Sequence, residues 1–321
     1  MRTSAKVVAG RIGLLFVSLA VASVAVFLLI NLLPGDVAAV IMGTNADPSS
    51  VEQVRAQLGL DRPLLLRYFE WIGQLLSGNL PSSVFTGMPI GPQVARRLGV
   101  TFSLVGLGML TALLIALPAG MLAAAKRNKT IGVVVSVISQ LGMAIPAFLA
   151  GLILVIIFAV KLRWLPANGY VPLKENPGQW IRYLILPVCS IAAVQGAILT
   201  RYVRSAFVEV IKQDYFRTAR AVGFPYTAAM IRHGLRNAAL QVLTVLGLQL
   251  STLLVGAIVV EQVFRLPGLG SYLVQSVAQR DLPVVQTLVM ILVTLVLVIN
   301  TIVDLAYQLI DPRLREDGED S

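Results

Sequence analysis

Residues 133–160 read VVVSVISQLGMAIPAFLAGLILVIIFAV, without one charged side chain. A bilayer hydrocarbon core of ~30 Å is crossed by about 20 apolar residues in a helix. This run is longer than that. Lipid offers no partner for backbone N–H and C=O groups, so a run of this kind must satisfy them internally, as a helix. Five other stretches meet the same criterion: roughly Ile12–Leu33, Val100–Ala125, Ile181–Tyr202, Leu240–Val260 and Leu282–Leu309. The expected fold is an all-α membrane protein with six transmembrane helices. Residues 1–33 form a tail and the first helix, 34–99 a long loop, 100–310 a core of five helices, and 311–321 a C-terminal tail.

Composition agrees. The chain is 57% hydrophobic and 13% charged, with a mean hydropathy of +0.81. Soluble chains average roughly 45–50% apolar and about 25% charged. The net charge of +10 does not point to nucleic acid, because the bases sit in short clusters between apolar runs and form no basic face or arm. Such clusters mark cytoplasmic loops instead. With the N-terminus inside, the inside segments hold Arg2, Lys6, Arg11; Lys126, Arg127, Lys129; Arg201, Arg204, Lys212, Arg217, Arg220, Arg232, Arg236; and Arg313 and Arg315. The two short outside loops hold Lys161, Arg163, Lys174, Arg182, Arg265 and Arg280. This bias predicts both termini in the cytoplasm. Trp164, Tyr170, Trp180 and Tyr183 cluster around one outside loop, as interfacial aromatics do. The first apolar run continues to Leu33, longer than the 7–15 residues of a signal-peptide core, and reads as a retained helix.

The long outside loop has helix punctuation. Ser49-Ser50-Val51-Glu52 fits a capping box starting a helix near Ser50, and Gly59 stops it. Asp61 is placed to cap a second helix with Pro63 in its first turn. Leu65, Tyr68, Phe69, Ile72 and Leu76 then share a face. Both helices are expected on the outer membrane surface or against neighbouring spans.

Several chemistries are excluded. The single cysteine, Cys189, forbids an internal disulfide or a thiolate zinc site and reads as a small buried apolar side chain. The single histidine, His233, excludes multi-histidine metal sites. Arg182, Arg201, Glu261 and Asp304 lie near predicted span ends, and mid-depth ionisable groups are lacking. A proton- or sodium-coupled carrier, the rival class, needs such groups or broken-helix cation sites. An intramembrane enzyme needs a nucleophile–base pair or a carboxylate or metal set. The sequence contains no G-x-x-x-x-G-K-[ST] phosphate loop, so any ATP-driven engine belongs on another chain.

The most informative stretch is Glu209–Ala239, EVIKQDYFRTARAVGFPYTAAMIRHGLRNAA. It reads as two short helices. The first ends at Gly223 in a left-handed turn, Pro225 opens the second, and Arg232 and Arg236 lie four apart. The segment resembles the cytoplasmic EAA loop of ATP-binding-cassette (ABC) importer permeases, on Arg217-Thr218-Ala219, Gly223 and His233-Gly234-Leu235-Arg236. Arg217 and Arg236 depart from the general loop, and both departures resemble the B-type permease of dipeptide and oligopeptide importers. The same resemblance runs through Leu32-Leu33-Pro34-Gly35-Asp36, Leu58-Gly59-Leu60-Asp61-Arg62-Pro63, Ile145-Pro146-Ala147-Phe148, Glu261-Gln262-Val263-Phe264, Pro267-Gly268-Leu269-Gly270 and Asp311-Pro312-Arg313.

The resemblance implies a type I importer permease in a prokaryotic plasma membrane. Its implied partners are a homologous C-type permease, one or two ABC ATPases, an extracytoplasmic substrate-binding protein and membrane lipid. ATP and Mg would sit on the ATPases, and this chain would carry no cofactor. Arg217, Thr218, Ala219, Arg220, Gly223, His233, Leu235 and Arg236, within a coupling loop 204–239, would meet the ATPase. Gln140, Gln195, Gln249, Ser251, Thr252 and Gln286 are the uncharged polar side chains in the spans available to line a path, although such residues more often bond a neighbouring helix. The residues leave the substrate open between di- or oligopeptides, nickel and another small solute.

The topology is tested by cysteine labelling in intact cells. A cysteine at Lys129 or after Arg315 should be shielded from an impermeant reagent, and one near Asn168 should be labelled.

Overall fold

In a computed structural model of the chain, the described residues are 2–32, 47–57, 59 and 61–310. Their helices are α1 (Arg2–Leu32), α2 (Pro48–Gln57), α3 (Leu64–Ser77), α4 (Ile90–Ala125), α5 (Thr130–Ala144), α6 (Ala147–Leu154), α7 (Pro177–Lys212), α8 (Asp214–Ala221), α9 (Tyr226–Ala229), α10 (Leu235–Phe264), α11 (Leu269–Ala278) and α12 (Leu282–Ile310). π-helical stretches extend α6 through Val155–Lys161 and join α9 to α10 through Met230–Gly234. Extended pairing among the described residues is one isolated bridge, Ser82 to Pro89. The expected motifs Leu32–Asp36 and Asp311–Arg313 lie largely or wholly outside the described residues.

Five helices are long and apolar enough to cross a membrane: Val8–Leu32, Ile90–Ala125, Pro177–Lys212, Asn237–Phe264 and Leu282–Ala306. The sixth expected span is not one helix. α5 and the α6 segment meet at a 100° bend. The cause is Pro146, which disfavours the helical region for the residue before it. Ile145 accordingly sits at φ −93°, ψ 122°. An even apolar run conceals this break.

Two expected boundaries also move. α4 starts at Ile90 because Ile90 and Val94 are buried against Leu269, Val284 and Leu288, so the helix begins well before Val100. α7 starts at Pro177, where Asn176 Oδ1 accepts the Gln179 N–H at 3.0 Å. It runs past Tyr202 to Lys212, with Val203, Ala206, Phe207 and Val210 buried. In the first loop, α2 begins at Pro48 behind Asp47, placing Ser49 and Ser50 in the first turn. Gly59 has φ +65°. α3 begins after Pro63 with no side-chain cap, so Asp61 does not cap it.

The centre of the molecule is the α4–α7 contact. Gly108, Ala112, Ala116 and Gly120 recur every fourth residue on one ridge of α4. A Cβ on Gly108 would lie 2.6 Å from Ile191 Cγ2, and one on Gly120 would lie 2.6 Å from Val203 Cβ and 2.9 Å from the Thr200 carbonyl oxygen. Spans have no hydrophobic drive to associate within lipid, so small residues that admit close backbones supply the packing. α10 completes this core with Leu253, Leu254, Ala257, Val260 and Phe264. α1 clasps α12: Arg11 bonds Asp304 at 2.8 Å near one end, and Val26 and Phe27 meet Met290 and the α3 residue Trp71 near the other. The molecule thus has a loop end, carrying α3 and α11, and a basic end, carrying Lys126–Lys129 and α8–α9.

Gly120→Val should lower the thermal unfolding midpoint of the detergent-solubilised chain, since overpacking costs about 1–3 kcal/mol. Gly106→Val on the same helix, where a Cβ meets nothing within 4 Å, should leave the midpoint nearly unchanged.

Candidate functional site

At the basic end, α8 begins with Asp214, a favourable charge at a helix N-terminus. It closes in a Schellman turn: Gly223 N donates to the Arg220 carbonyl at 3.1 Å and Phe224 N to the Ala219 carbonyl at 3.2 Å. Gly223 has φ +102°, as the sequence requires of it, and a Cβ there meets nothing within 4 Å. Backbone conformation, not space, makes this a glycine position. Pro225 then opens α9.

The second half of the segment is not a separate short helix. α9 passes through the π-helical stretch directly into α10, so the regular four-residue spacing expected from Arg232 to Arg236 is interrupted. Gly234 is buried, with its missing Cβ 3.1 Å from Phe207 and Val210. The underside is apolar: Phe216, Ala219, Ala229 and Met230 pack on Ala206, Phe207 and Val210 of α7 and on Ala238 and Val242 of α10. The element is thereby bolted to two long helices.

The opposite face is exposed and basic. Arg217 is 73% exposed and reaches Asp214 at 3.4 Å, a contact of little energetic weight in water. Thr218 is exposed and bonds back to the Asp214 carbonyl. Val222 is 75% exposed. Arg220 differs from Arg217: it donates to the Phe224 carbonyl at 2.5 Å and lies 5.8 Å from the Tyr226 ring. It therefore braces its own turn. Arg232 lies over Phe224, and His233 meets the same ring edge-on. Leu235 is exposed at the start of α10. Burial pushes the Tyr226 phenol up, against the pull of Arg127 and Arg220.

The polar span residues separate into two groups. Ser251 donates to Asn300 Oδ1 at 2.6 Å, joining α10 to α12. Gln195 and Gln286 are buried, each with one amide atom lacking a hydrogen-bond partner. Gln249 is half-buried. Gln140 is exposed, as is Thr252, whose hydroxyl bonds the Leu248 carbonyl. An apolar hollow of ≈ 430 Å³ lies at the α5–α6 bend, lined by residues including Thr111, Ile115, Ile145 and Cys189. None of the six polar residues lines it. Cys189 is exposed there and is not the buried filler expected.

Sequence reasoning missed a knot at the loop end. Glu261, placed only as a span-end charge, is fully buried. Thr101 Oγ1 donates to its Oε1 at 2.6 Å and Ser271 N to its Oε2 at 2.9 Å, while Leu269 N donates to Thr101 Oγ1 at 2.9 Å. A carboxylate from α10 and a hydroxyl from α4 thus satisfy the free N–H groups at the start of α11. A Cβ on Gly268 would sit 2.2 Å from that carboxylate. Nearby, the Arg97 guanidinium lies 4.3 Å from the Tyr272 ring centroid. The signal available in sequence was an acidic residue at the end of an apolar run, followed by Pro267-Gly268-Leu269-Gly270.

The bent span, the close-packed helices and the helical element bolted to them define a polytopic helical membrane protein. The chain belongs to the binding-protein-dependent transport system inner membrane component family, whose profile matches residues 116–316, with the family's N-terminal profile matching residues 5–105. It is a permease component of an ABC importer. A putative peptide transport system permease protein of Brucella abortus is 40% identical over 297 residues, covering 92% of this chain and 95% of the relative. The glutathione transport system permease protein GsiC of Escherichia coli K12 is 39% identical over 298 residues, covering 93% and 95%. The MetNI methionine ABC transporter in an inward-facing crystal form has a chain of like fold, with a TM-score of 0.55 at 19% identity over 68% of this chain and 96% of that one.

Thr101→Val and Gly268→Ala should each loosen α11. Losing one member of a buried hydrogen-bonded set costs about 1–3 kcal/mol. Amide exchange of residues 269–278 should accelerate in both variants while that of α7 stays slow.

Proposed function

We propose that this chain is the B-type permease of a di- or oligopeptide importer, and that α8–α9 with the π-helical stretch is its coupling element for a separate ABC ATPase. The observation that carries the coupling role is the two-sided build of the element. Its apolar underside is locked to α7 and α10, and its exposed face offers Arg217, Thr218 and Val222. Motion imposed on that face passes to two long helices with little slack. The basic end is the cytoplasmic one, consistent with its Lys and Arg content, and the membrane is a prokaryotic plasma membrane. ATP and Mg bind the partner ATPases, a C-type permease completes the pathway, and a binding protein delivers the substrate at the loop end. A short-peptide cargo is supported by the names of two relatives, one a putative peptide permease and one a permease for glutathione, a tripeptide. Gln140 and Thr252, exposed from this chain's own packing, are the better pathway candidates, while Gln195, Gln286 and Ser251 serve helix packing.

Gly223→Val places a β-branched residue at φ +102°, a strain of about 1–3 kcal/mol. Arg217→Glu reverses the exposed charge. Both lie outside the spans and should insert normally. Each should weaken co-purification of the ATPase or abolish uptake of a defined dipeptide by the assembled importer. Normal co-purification and uptake in both variants would overturn the coupling role. The purified lone chain should hydrolyse no ATP, with activity appearing only when the second permease and ATPases are added.

A further inference from the structure

The helix α3 has three faces, not the single apolar face its sequence periodicity indicates. Tyr68, Trp71, Ile72 and Leu75 pack against α1 and α12. Arg67, Glu70, Gln74 and Ser77 form a polar strip, in which Glu70 pairs with Arg62 at 2.9 Å. Between them lies a third strip left largely uncovered by the chain: Leu65, Phe69 and Leu76 are 72%, 66% and 82% exposed, with Phe69 touching only the edge of its neighbour Tyr68 among the aromatic rings. Large apolar side chains at such exposure in a 14-residue helix call for an occupant.

The depth of the helix identifies it. Tyr68 Oη lies 2.8 Å from Ser23 Oγ, and Trp71 packs with Met290. Along α1, Ser23 lies ~13 Å below Leu32, and along α12, Met290 lies ~12 Å below Leu282, at about 1.5 Å per residue. The two independent anchors agree. The apolar spans within these helices, Val8–Leu32 and Leu282–Ala306, have 25 residues each, roughly 37 Å, which exceeds the ~30 Å hydrocarbon core by about 4 Å at each end. The contacts that Tyr68 and Trp71 of α3 make with Ser23 and Met290 therefore lie about 8–10 Å inside the hydrocarbon boundary at the loop end. Helices lying in a membrane interface bury their apolar face about 5–10 Å into that boundary. A water-soluble protein cannot reach this level. α1 also exposes apolar side chains over the same stretch, Val21, Val24, Leu28 and Leu29.

We infer that α3 is sunk into the leaflet at the loop end, with Leu65, Phe69 and Leu76 in direct contact with phospholipid acyl chains and Gln74 at the headgroup level. The helix is a lipid-anchored brace holding α1 against α12.

The test places spin labels on cysteines at Leu65, Phe69, Leu76 and Gln74, one at a time, in a Cys189→Ala background. The assembled importer is reconstituted in phospholipid bilayers, and collision with oxygen, which concentrates in acyl chains, is compared with collision with a water-soluble nickel chelate. Oxygen should exceed the chelate several-fold at positions 65, 69 and 76, with the order reversed at 74. Greater chelate access at 69 and 76 would overturn the inference in favour of a water-facing surface. Low access to both reagents there would overturn it in favour of cover by a second membrane protein. If one substitution prevents assembly, the remaining two positions on the strip give the same reading.

Discussion

Everything in this molecule hangs on how closely α4 approaches α7. Apolar side chains gain nothing by leaving lipid for one another, so two spans hold together only where their backbones come near enough for dense packing. Gly108, Ala112, Ala116 and Gly120 clear that path on α4, and Ile191, Thr200 and Val203 fill it from α7. With this pair set, α10 closes the core. The extension of α7 beyond the expected span then presents Phe207 and Val210 as the seat of the basic-end element. The element takes its position from the same helix that the glycine ridge holds in place.

α10 links the two ends physically. It emerges from the π-helical stretch at Gly234, where an added Cβ would press on Phe207 at 3.1 Å, and carries near its end the buried Glu261 carboxylate that caps α11. One continuous helix therefore touches the basic-end element at its start and organises the loop-end helix at its finish. Glu261 also draws in Thr101 of α4, so α4, α10 and α11 meet at a single hydrogen-bonded point. A buried carboxylate is tolerable there because donors converge on it, including N–H groups at the positive end of a helix. Arg265, at φ +51°, makes the turn that brings these donors back to it.

Much of this was legible from residues alone, for reasons that can be stated. Long uncharged runs determine spans because the bilayer requires them to be helical. Gly223 followed by Pro225 determines a left-handed stop and a restart, because the turn depends on two local backbone preferences and on nothing distant. The resemblance along Glu209–Ala239 identified the class of permease, since that segment is recognised by its residue types in order. The polar pathway candidates were less legible. Gln140 and Gln286 look alike in sequence, yet one is exposed and the other buried, because helix rotation is set by packing partners far along the chain.

What the sequence determined by itself was therefore local or collective: the number of apolar stretches, the charge bias, the turn at Gly223 and the family. What only the tertiary structure decided was relational. That Pro146 breaks its span by 100° while Pro118 and Pro187 stay inside continuous helices depends on the packing around each, and the start of α4 at Ile90 depends on Leu269 and Leu288 closing over it. The role of Glu261 depends on Thr101, which lies 160 residues away in sequence. The split of the apolar side chains of α3 between protein and lipid depends on where α1 and α12 stand. A periodic pattern reports that a side chain avoids water, but it cannot say whether another helix or an acyl chain takes the water's place.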